Sequence, residues 1–346
     1  VSEQLRIAVV GCGAIADWHL DAIERAGLPI TVTAAVDPAA AQAERIAHRC
    51  GAPAYPSLHA AVAAGGFDAA LIAVPHHLHE ELATEALRAG LHVLLEKPLA
   101  PTVEACDRVL AEAASAGTVF MVAENAQYWP EVHVVRGELQ RGSIGEVVTA
   151  RAATFFPAVD AFYSGDGGDG GDGGGAAARP WRFDRAAAGG GVVIDTGSHW
   201  LRPLRVWFGE VGEVVAALGH PHAAMEGESL CRALLRFESG MIASFDAMLA
   251  TGAIAPQPLF TITGTRGELT VEGSGWVKRF DGREPRGTKV GEQGGYLRSY
   301  EGELADFASA VRRGTTPAAP AAYAVGELRL ALAMYRSAET GRWEKV

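Results

Sequence analysis

Between residues 5 and 123, short apolar runs alternate with helical patterns, and few folds accommodate that alternation. Runs at 5–10, 30–36, 69–74, 91–95 and 119–123 are strand-like, rich in β-branched residues or leucine, and stop at glycine, proline or a charge. The intervening segments 14–25, 39–49, 80–89 and 102–116 carry apolar residues at helical spacing. Strands separated by helices pair in parallel, and the helices cover both faces of the sheet. The expectation for this part of the chain is a doubly wound α/β domain.

The first strand-to-helix junction reads Gly11-Cys12-Gly13-Ala14-Ile15-Ala16. In a dinucleotide-binding turn the first glycine permits the tight bend and the second lets the backbone approach a pyrophosphate. A small third residue allows close packing of helix on strand. Gly11, Gly13 and Ala16 fit these roles, and the N–H groups of Ala14 and Ile15 open a helix whose dipole favours phosphate. Asp37 ends the second strand at the spacing expected of the ribose-binding acid. Its carboxylate would accept hydrogen bonds from the adenosine ribose and repel a 2′-phosphate. The residues after it, Pro38-Ala39-Ala40-Ala41, provide no arginine to hold that phosphate. The expected cofactor is therefore NAD rather than NADP. Capping of the next helix is the alternative role for Asp37.

At 346 residues the chain is long enough for two domains with buried cores. A formal charge of −11 argues against nucleic acid or an anionic membrane as partner. No apolar stretch reaches the length of a spanning helix. The first residues, Val1 to Arg6, lack the basic start and long apolar core of a secretory signal. Four scattered cysteines, Cys12, Cys50, Cys106 and Cys231, form no CxxC pair. They are expected to be reduced thiols of a cytoplasmic protein without a metal or redox motif.

Two further segments carry reactive groups. Glu96-Lys97-Pro98 closes the fourth apolar run, at the carboxyl end of a strand, where ligands bind in such sheets. By itself it reads first as a surface lysine before a proline turn; a cis Lys97-Pro98 bond is compatible with it. Asp195 and His199 follow a glycine run, Gly189-Gly190-Gly191, and share one face if the segment is helical. The glycines would let the backbone pass close to a cofactor or substrate. A histidine suits the task of a general base near neutral pH. A capping aspartate and a packed histidine are the plainer reading of the same pair.

Taken in order, these motifs resemble the glucose–fructose oxidoreductase / inositol dehydrogenase / MocA family of NAD(P)-dependent oxidoreductases. The resemblance covers nearly the whole chain. It is carried by Gly11-x-Gly13-x-x-Ala16, Ala73-Val74-Pro75 with His79, and the run from Ala89 through Glu96-Lys97-Pro98-Leu99. Ile144-Gly145-Glu146, Trp181-Arg182, Gly189-Gly190-Gly191 and Asp195-x-x-x-His199 continue it. It implies a Rossmann domain over 1–123 and an α/β domain with an open, mostly antiparallel sheet over 124–346, with the active site between them. It also implies that Lys97 lies beside the nicotinamide and the substrate hydroxyl, where its ammonium stabilises developing charge on oxygen. His199 then takes the hydroxyl proton, while Asp195 orients substrate, stabilises imidazolium or relays the proton. Pro75, His79 and Glu96 are implied to border the cofactor. Asn125 and Gln127 would approach the nicotinamide or pack the domain junction. Arg182 would hold the pyrophosphate or carboxamide, or form an interdomain salt bridge. His76-His77-x-His79 lacks an acidic or cysteine partner, so a metal site is not expected; His76 and His77 would line the nicotinamide side of the cleft.

In the second half, strand-like runs at 146–156, 211–218, 229–237, 241–249, 259–263 and 268–271 are joined by hairpin turns at 238–240 and 264–267. Helices are expected at 299–312 and 322–340. The low-complexity run 165–175 reads as a flexible Gly/Asp loop at the cleft mouth. The open sheet face implies a homodimer or homotetramer. The resulting expectation is an NAD-dependent dehydrogenase acting on a secondary hydroxyl of a sugar or cyclitol. A sugar-nucleotide ketoreductase and a non-catalytic NAD- and sugar-binding regulator are the alternatives.

Overall fold

A computed structural model describes residues 4–157, 180–250, 252, 254–290 and 296–346. The Gly/Asp run at 165–175 lies outside the described residues.

Strands β1 (Leu5–Val10), β2 (Ile30–Val36), β3 (Ala54–Tyr55), β4 (Ala69–Ile72), β5 (His92–Glu96) and β6 (Phe120–Ala123) form one parallel sheet. Their order is β3-β2-β1-β4-β5-β6. Chain direction through the sheet reverses between β1 and β4, the switch point at which a doubly wound fold opens a crevice. Every residue of β4 and β6 is buried, as expected of parallel strands covered on both faces. The helices are α1 (Ala14–Ala26), α2 (Ala40–Cys50), α3 (Leu58–Ala64), α4 (His79–Arg88) and α5 (Val103–Ala116). Ser57 and Thr102 cap α3 and α5 by accepting from the backbone N–H of Ala60 and Ala105. Gly13, at the N-cap of α1, supplies no such side chain.

Helix α6 (Pro130–Gln140) leads into a second, nine-stranded sheet. Its strands are β7 (Val147–Pro157), β8 (Val211–Gly219), β9 (Leu230–Phe237), β10 (Ile242–Ala250), β11 (Phe260–Gly264), β12 (Gly267–Glu272), β13 (Trp276–Phe280), β14 (Arg286–Lys289) and β15 (Glu344–Lys345). All neighbouring pairs are antiparallel except β7 with β10. The hairpins expected at 238–240 and 264–267 join β9 to β10 and β11 to β12. Along β9, Cys231, Ala233, Leu235 and Phe237 face the core while Arg232 and Leu234 are exposed, the two-residue period of a sheet with one open face. Helices α7 (Ser198–Phe208) and α9 (Val325–Thr340) belong to the same half of the chain.

Helix α8 (Tyr296–Arg313) returns to the first sheet. Its Tyr300, Leu304 and Phe307 are buried with Leu20 of α1, Leu94 of β5 and Met121 of β6. Position 123 thus separates the two sheets but not the helices that cover them. Among the described residues no helix is long and apolar enough to cross a membrane.

Candidate active site

The crevice lies at the carboxyl ends of β1, β4, β5 and β6. Gly11 has φ +88°, and a Cβ there would stand 2.2 Å from the Ala73 carbonyl oxygen, so only glycine fits this turn. Asp37 binds the turn from the side: its Oδ2 accepts from Cys12 N–H at 2.9 Å and its Oδ1 from Ala39 N–H at 2.8 Å. Each oxygen retains a lone pair for a ribose hydroxyl. Gly13, Ala14 and Ile15 open α1 without a side-chain cap, so its first N–H groups face the turn as anion donors. Burial pushes the Cys12 thiol beside them up to about 12.

Lys97 follows β5 through a cis bond to Pro98. Its Nζ donates to the Asp195 carbonyl at 2.7 Å and to Asp195 Oδ1 at 3.0 Å. Arg182 Nε lies 3.4 Å from Asp195 Oδ2, and His76 Nε2 lies 4.0 Å from Oδ1. Burial alone would raise the Asp195 carboxyl; Lys97, Arg182 and His76 together hold it well below the usual carboxylate range. Arg182 therefore pairs within the second half of the chain, rather than between domains, and stacks on Trp181 at 4.4 Å. His76 is buried against Trp181, at 4.7 Å, and meets the Ala188 carbonyl through Nδ1 at 2.8 Å; His77 is exposed.

Asp195 is not the histidine's partner. Residues Val193–Gly197 form a π-turn, closed by Gly197 N–H on the Val192 carbonyl at 2.7 Å. The wider turn breaks the simple i, i+4 relation, and Asp195 faces Lys97. His199, in the first turn of α7, meets Glu124 instead, with Nδ1 2.5 Å from Oε1. Burial would raise Glu124, but His199, then Arg202 and Lys97, bring it down to about 2. This pair went unrecognised in the sequence. The available signal was that Glu124 directly follows β6 at the ligand-binding edge of the sheet.

Several expected cofactor contacts are instead braces. Glu96 is buried; its Oε1 lies 2.8 Å from His19 Nε2 on α1 and its Oε2 accepts from Lys97 N–H at 3.2 Å. Both ring nitrogens of His79 meet backbone carbonyls, Pro98 at 2.6 Å and Val74 at 2.9 Å. In these contacts Glu96 and His79 brace the strand ends, and both ring nitrogens of His79 are taken up by them. Pro75 opens the short turn His76–Leu78 that carries the histidines. Gln127 is committed to the scaffold: it accepts from Arg202 Nη1 at 2.7 Å and donates to the Ala318 carbonyl at 2.7 Å. Arg202 is doubly bonded to Glu327. Asn125 differs. It is buried, yet neither its NH2 nor its carbonyl oxygen has a hydrogen-bond partner in the described protein. Such an amide fits a ligand that brings both a donor and an acceptor, as a carboxamide does.

The glycine run also has another explanation. Cβ atoms on Gly190 and Gly191 would collide with Tyr335 Oη at 2.1 Å and the Glu228 carbonyl oxygen at 2.0 Å. The run is thin so that it can dock on Glu228 and Tyr335. Among the described residues, no group of three or more His, Cys, Asp or Glu is placed to hold a metal.

Comparison with known proteins identifies the family. Residues 5–124 match the GFO_IDH_MocA model, described as the oxidoreductase family, NAD-binding Rossmann fold. Residues 136–346 match the model of that family's C-terminal alpha/beta domain. Inositol 2-dehydrogenase of Corynebacterium glutamicum (strain R) is 34% identical over 166 residues, 47% of this chain and 49% of the relative. The chain thus matches about half the length of that protein. The 1,5-anhydro-D-fructose reductase of Ensifer adhaerens is 28% identical over 294 residues, 80% of this chain and 78% of the relative. Levoglucosan dehydrogenase, solved with NADH and levoglucosan, superposes with a TM-score of 0.85 at 21% identity over 99% of each chain. At that identity the likeness speaks for the fold.

Proposed function

Because the chain belongs to the GFO_IDH_MocA oxidoreductase family, we propose that it is an NAD-dependent dehydrogenase of secondary hydroxyls on a cyclitol or sugar. The observation that carries this reading is the convergence of two acid–base pairs, Lys97 with Asp195 and His199 with Glu124, beside a dinucleotide-binding turn. Residues 1–123 hold most of the nucleotide and carry Lys97, and residues 124–346 bring the base, the Asn125 amide and further substrate contacts.

Bound NAD supplies the hydride acceptor. The chain supplies the rest. Gly11, Gly13, Ala14 and Ile15 receive the pyrophosphate, Asp37 the adenosine ribose, and Asn125 the carboxamide. His199 takes the hydroxyl proton as the carbinol carbon loses hydride, so one alcohol and oxidised nicotinamide become one ketone, reduced nicotinamide and an imidazolium. Glu124 accepts from Nδ1–H, which keeps the lone pair on Nε2 before transfer and a counter-charge beside the ring after it. Lys97 donates to the oxygen as it gains negative charge, and Asp195 aims the ammonium. Arg182 sets the Asp195 carboxylate from its other side.

NAD is favoured over NADP because the Asp37 carboxylate stands at the ribose position, where it would repel a 2′-phosphate. Arg45, on the following helix α2, is occupied by Asp17 at 2.8 Å and by the Cys12 carbonyl at 2.6 Å. The exposed face of the second sheet presents Leu234, Ile242 and Phe280, which supports a homo-oligomer formed through that face. Four free thiols support a reducing, cytoplasmic setting.

The test is reduction of NAD with a panel of cyclitols, aldoses and anhydrosugars. Turnover is expected with at least one class, and Lys97→Ala and His199→Ala should each lower kcat by about 10²–10⁴-fold. Binding of NADH and a sugar without turnover would instead favour a regulator.

A further inference from the structure

The π-turn that carries Asp195 begins with three consecutive backbone donors, and two residues from distant parts of the chain satisfy all of them. Gly191 N–H donates to Tyr335 Oη at 3.2 Å. Val192 N–H donates to the Glu228 carbonyl at 2.8 Å. Val193 N–H donates to Glu228 Oε1 at 2.9 Å, and the Tyr335 hydroxyl donates to that same oxygen at 3.0 Å. The first N–H groups of a helical turn lack partners within it. Here they are capped from outside the segment, by the β8–β9 connection and by α9.

The fit is tight on every side. Gly190 admits Tyr335 Oη where a Cβ would stand 2.1 Å away, and Gly191 admits the Glu228 backbone. Gly227 lies against them in turn: a Cβ on it would be 2.5 Å from the Gly190 carbonyl oxygen. Glu228 is buried, and its hydrogen-bond partners are two backbone-directed contacts and a phenol rather than a cation. A buried carboxyl group so placed is costly unless its hydrogen bonds are needed. The turn it holds presents both the carbonyl and the carboxylate of Asp195 to Lys97.

We propose that Glu228 and Tyr335 are positioning residues, a clamp that sets the π-turn and thereby fixes Asp195 against the Lys97 ammonium. Neither touches the reacting atoms. The effect on turnover rests on the dehydrogenase reading above; the clamp itself does not.

The decisive variant is Tyr335→Phe, which keeps the ring and removes the hydroxyl shared by Gly191 and Glu228. Two measurements use the full-length protein without ligand. The sequence holds four lysines, Lys97, Lys278, Lys289 and Lys345, so amine acetylation is readily assigned by mass spectrometry. Acetylation of Lys97 should rise about threefold or more relative to the other three, and amide exchange over 191–197 should quicken about tenfold or more. A third measurement is kinetic. In Tyr335→Phe, kcat should fall about tenfold while the Kd for NADH stays within about twofold, because the clamp's hydrogen bonds go to residues 191–193 and not to the nucleotide turn. In a Lys97→Ala background the same change should cost nothing further. Glu228→Gln, which keeps an acceptor for Val193 N–H, should be milder than Glu228→Ala on every readout. Wild-type labelling and exchange in Tyr335→Phe would overturn the clamp. Altered labelling with unchanged kcat would overturn its link to catalysis. A wild-type protein that oxidises no polyol would remove the dehydrogenase reading, and labelling and exchange would still decide the clamp.

Discussion

Replacing Glu124 by glutamine separates charge from shape at the His199 pair. The side chain is almost wholly buried and its Oε1 lies 2.5 Å from Nδ1. Burial works against the carboxylate, yet its pKa falls from an ordinary 4.5 to about 2. That difference corresponds to about 3 kcal/mol in favour of the ionised form. Of the groups that lower it His199 is the largest, with Arg202 and Lys97 adding to it; together they overcome the burial penalty, so about 3 kcal/mol is a net balance rather than the worth of the pair itself. If the carboxylate acts mainly on the imidazolium formed in the transition state, its loss costs between about tenfold and a hundredfold in kcat. Glutamine adds a second effect in the same direction. A carboxylate only accepts, which enforces Nδ1–H; an amide can also donate, which admits the tautomer with its proton on Nε2. The assay is steady-state NAD reduction at saturating polyol, with NADH binding measured separately by fluorescence. Glu124→Gln should retain wild-type affinity for NADH within about threefold, since the amide oxygen can still accept from Ala126 N–H and keep the adjacent Asn125 in place. A kcat within twofold of wild type would refute the argument. Stability has a definite sign as well. The depressed pKa of Glu124 contributes stability above pH 4.5 that is lost as pH falls toward about 2. The difference in stability between wild type and Glu124→Gln should therefore be greatest near neutrality and shrink below pH 4.5.

Other outcomes follow from single positions. Asp37→Ser removes the charge that opposes a 2′-phosphate and should raise the NADP-to-NAD ratio of kcat/KM by about tenfold or more; an unchanged ratio would mean that Asp37 serves only the Cys12 and Ala39 amides. Gly191→Ala places a methyl 2.0 Å from the Glu228 carbonyl oxygen and 2.5 Å from its nitrogen. Backbone atoms cannot rotate away, so a loss of about 2–4 kcal/mol is expected in denaturant unfolding, and a wild-type midpoint would contradict the docking described. Glu303 is buried with neither carboxyl oxygen hydrogen-bonded in the described protein, and burial, then Glu96 and Glu124, push its pKa well up. A raised carboxyl pKa favours the folded state only below the unfolded pKa and costs stability as pH rises above it. Glu303→Gln should therefore raise Tm by about 2–4 °C at pH 7–8, an advantage that fades toward pH 4.5; a lowered Tm at neutral pH would show that the carboxyl has an ionic role.

The parts legible in the sequence are those whose signals are local. The apolar runs of β1 and β2 coincide with mostly buried strands, and the Gly11 turn is written in adjacent residues. What was missed falls into two physical kinds. β3 is two residues long, and β14, Arg286–Lys289, is exposed at every position, so neither has an apolar period to read. α3 is built largely of alanine, which gives a helix little amphipathic contrast. The other kind is long-range. His199 and Glu124 lie 75 residues apart, and the one extra residue in the π-turn defeats the helical spacing that paired His199 with Asp195. The glycine run was legible as a close approach, but its partner, Glu228, lies 37 residues further along and bears no local mark.

The two acid–base pairs have opposite polarity across the fold. The first sheet contributes a cation, Lys97, to an anion on the π-turn. It also contributes an anion, Glu124, to a base on α7. Lys97 and Asp195 balance each other, and Glu124 lies within reach of the charges of Arg202 and Lys97 as well as against His199, so neither buried carboxylate stands as a lone ion in the interior. On the proposed reading this arrangement also selects for the transition state. A neutral substrate hydroxyl competes poorly with the Asp195 carboxylate and carbonyl for the protons of Lys97 Nζ. An oxygen that is losing its proton to His199 competes well, because its negative charge approaches that of the carboxylate. The ammonium therefore interacts more strongly with the reacting oxygen than with the resting hydroxyl, and only such a difference lowers a barrier. Asp195 weakens ground-state binding through the same contact that aims Lys97, so Asp195→Asn should lower KM for the polyol while lowering kcat more. A variant in which KM rises while kcat is unchanged would place Asp195 in simple substrate binding instead.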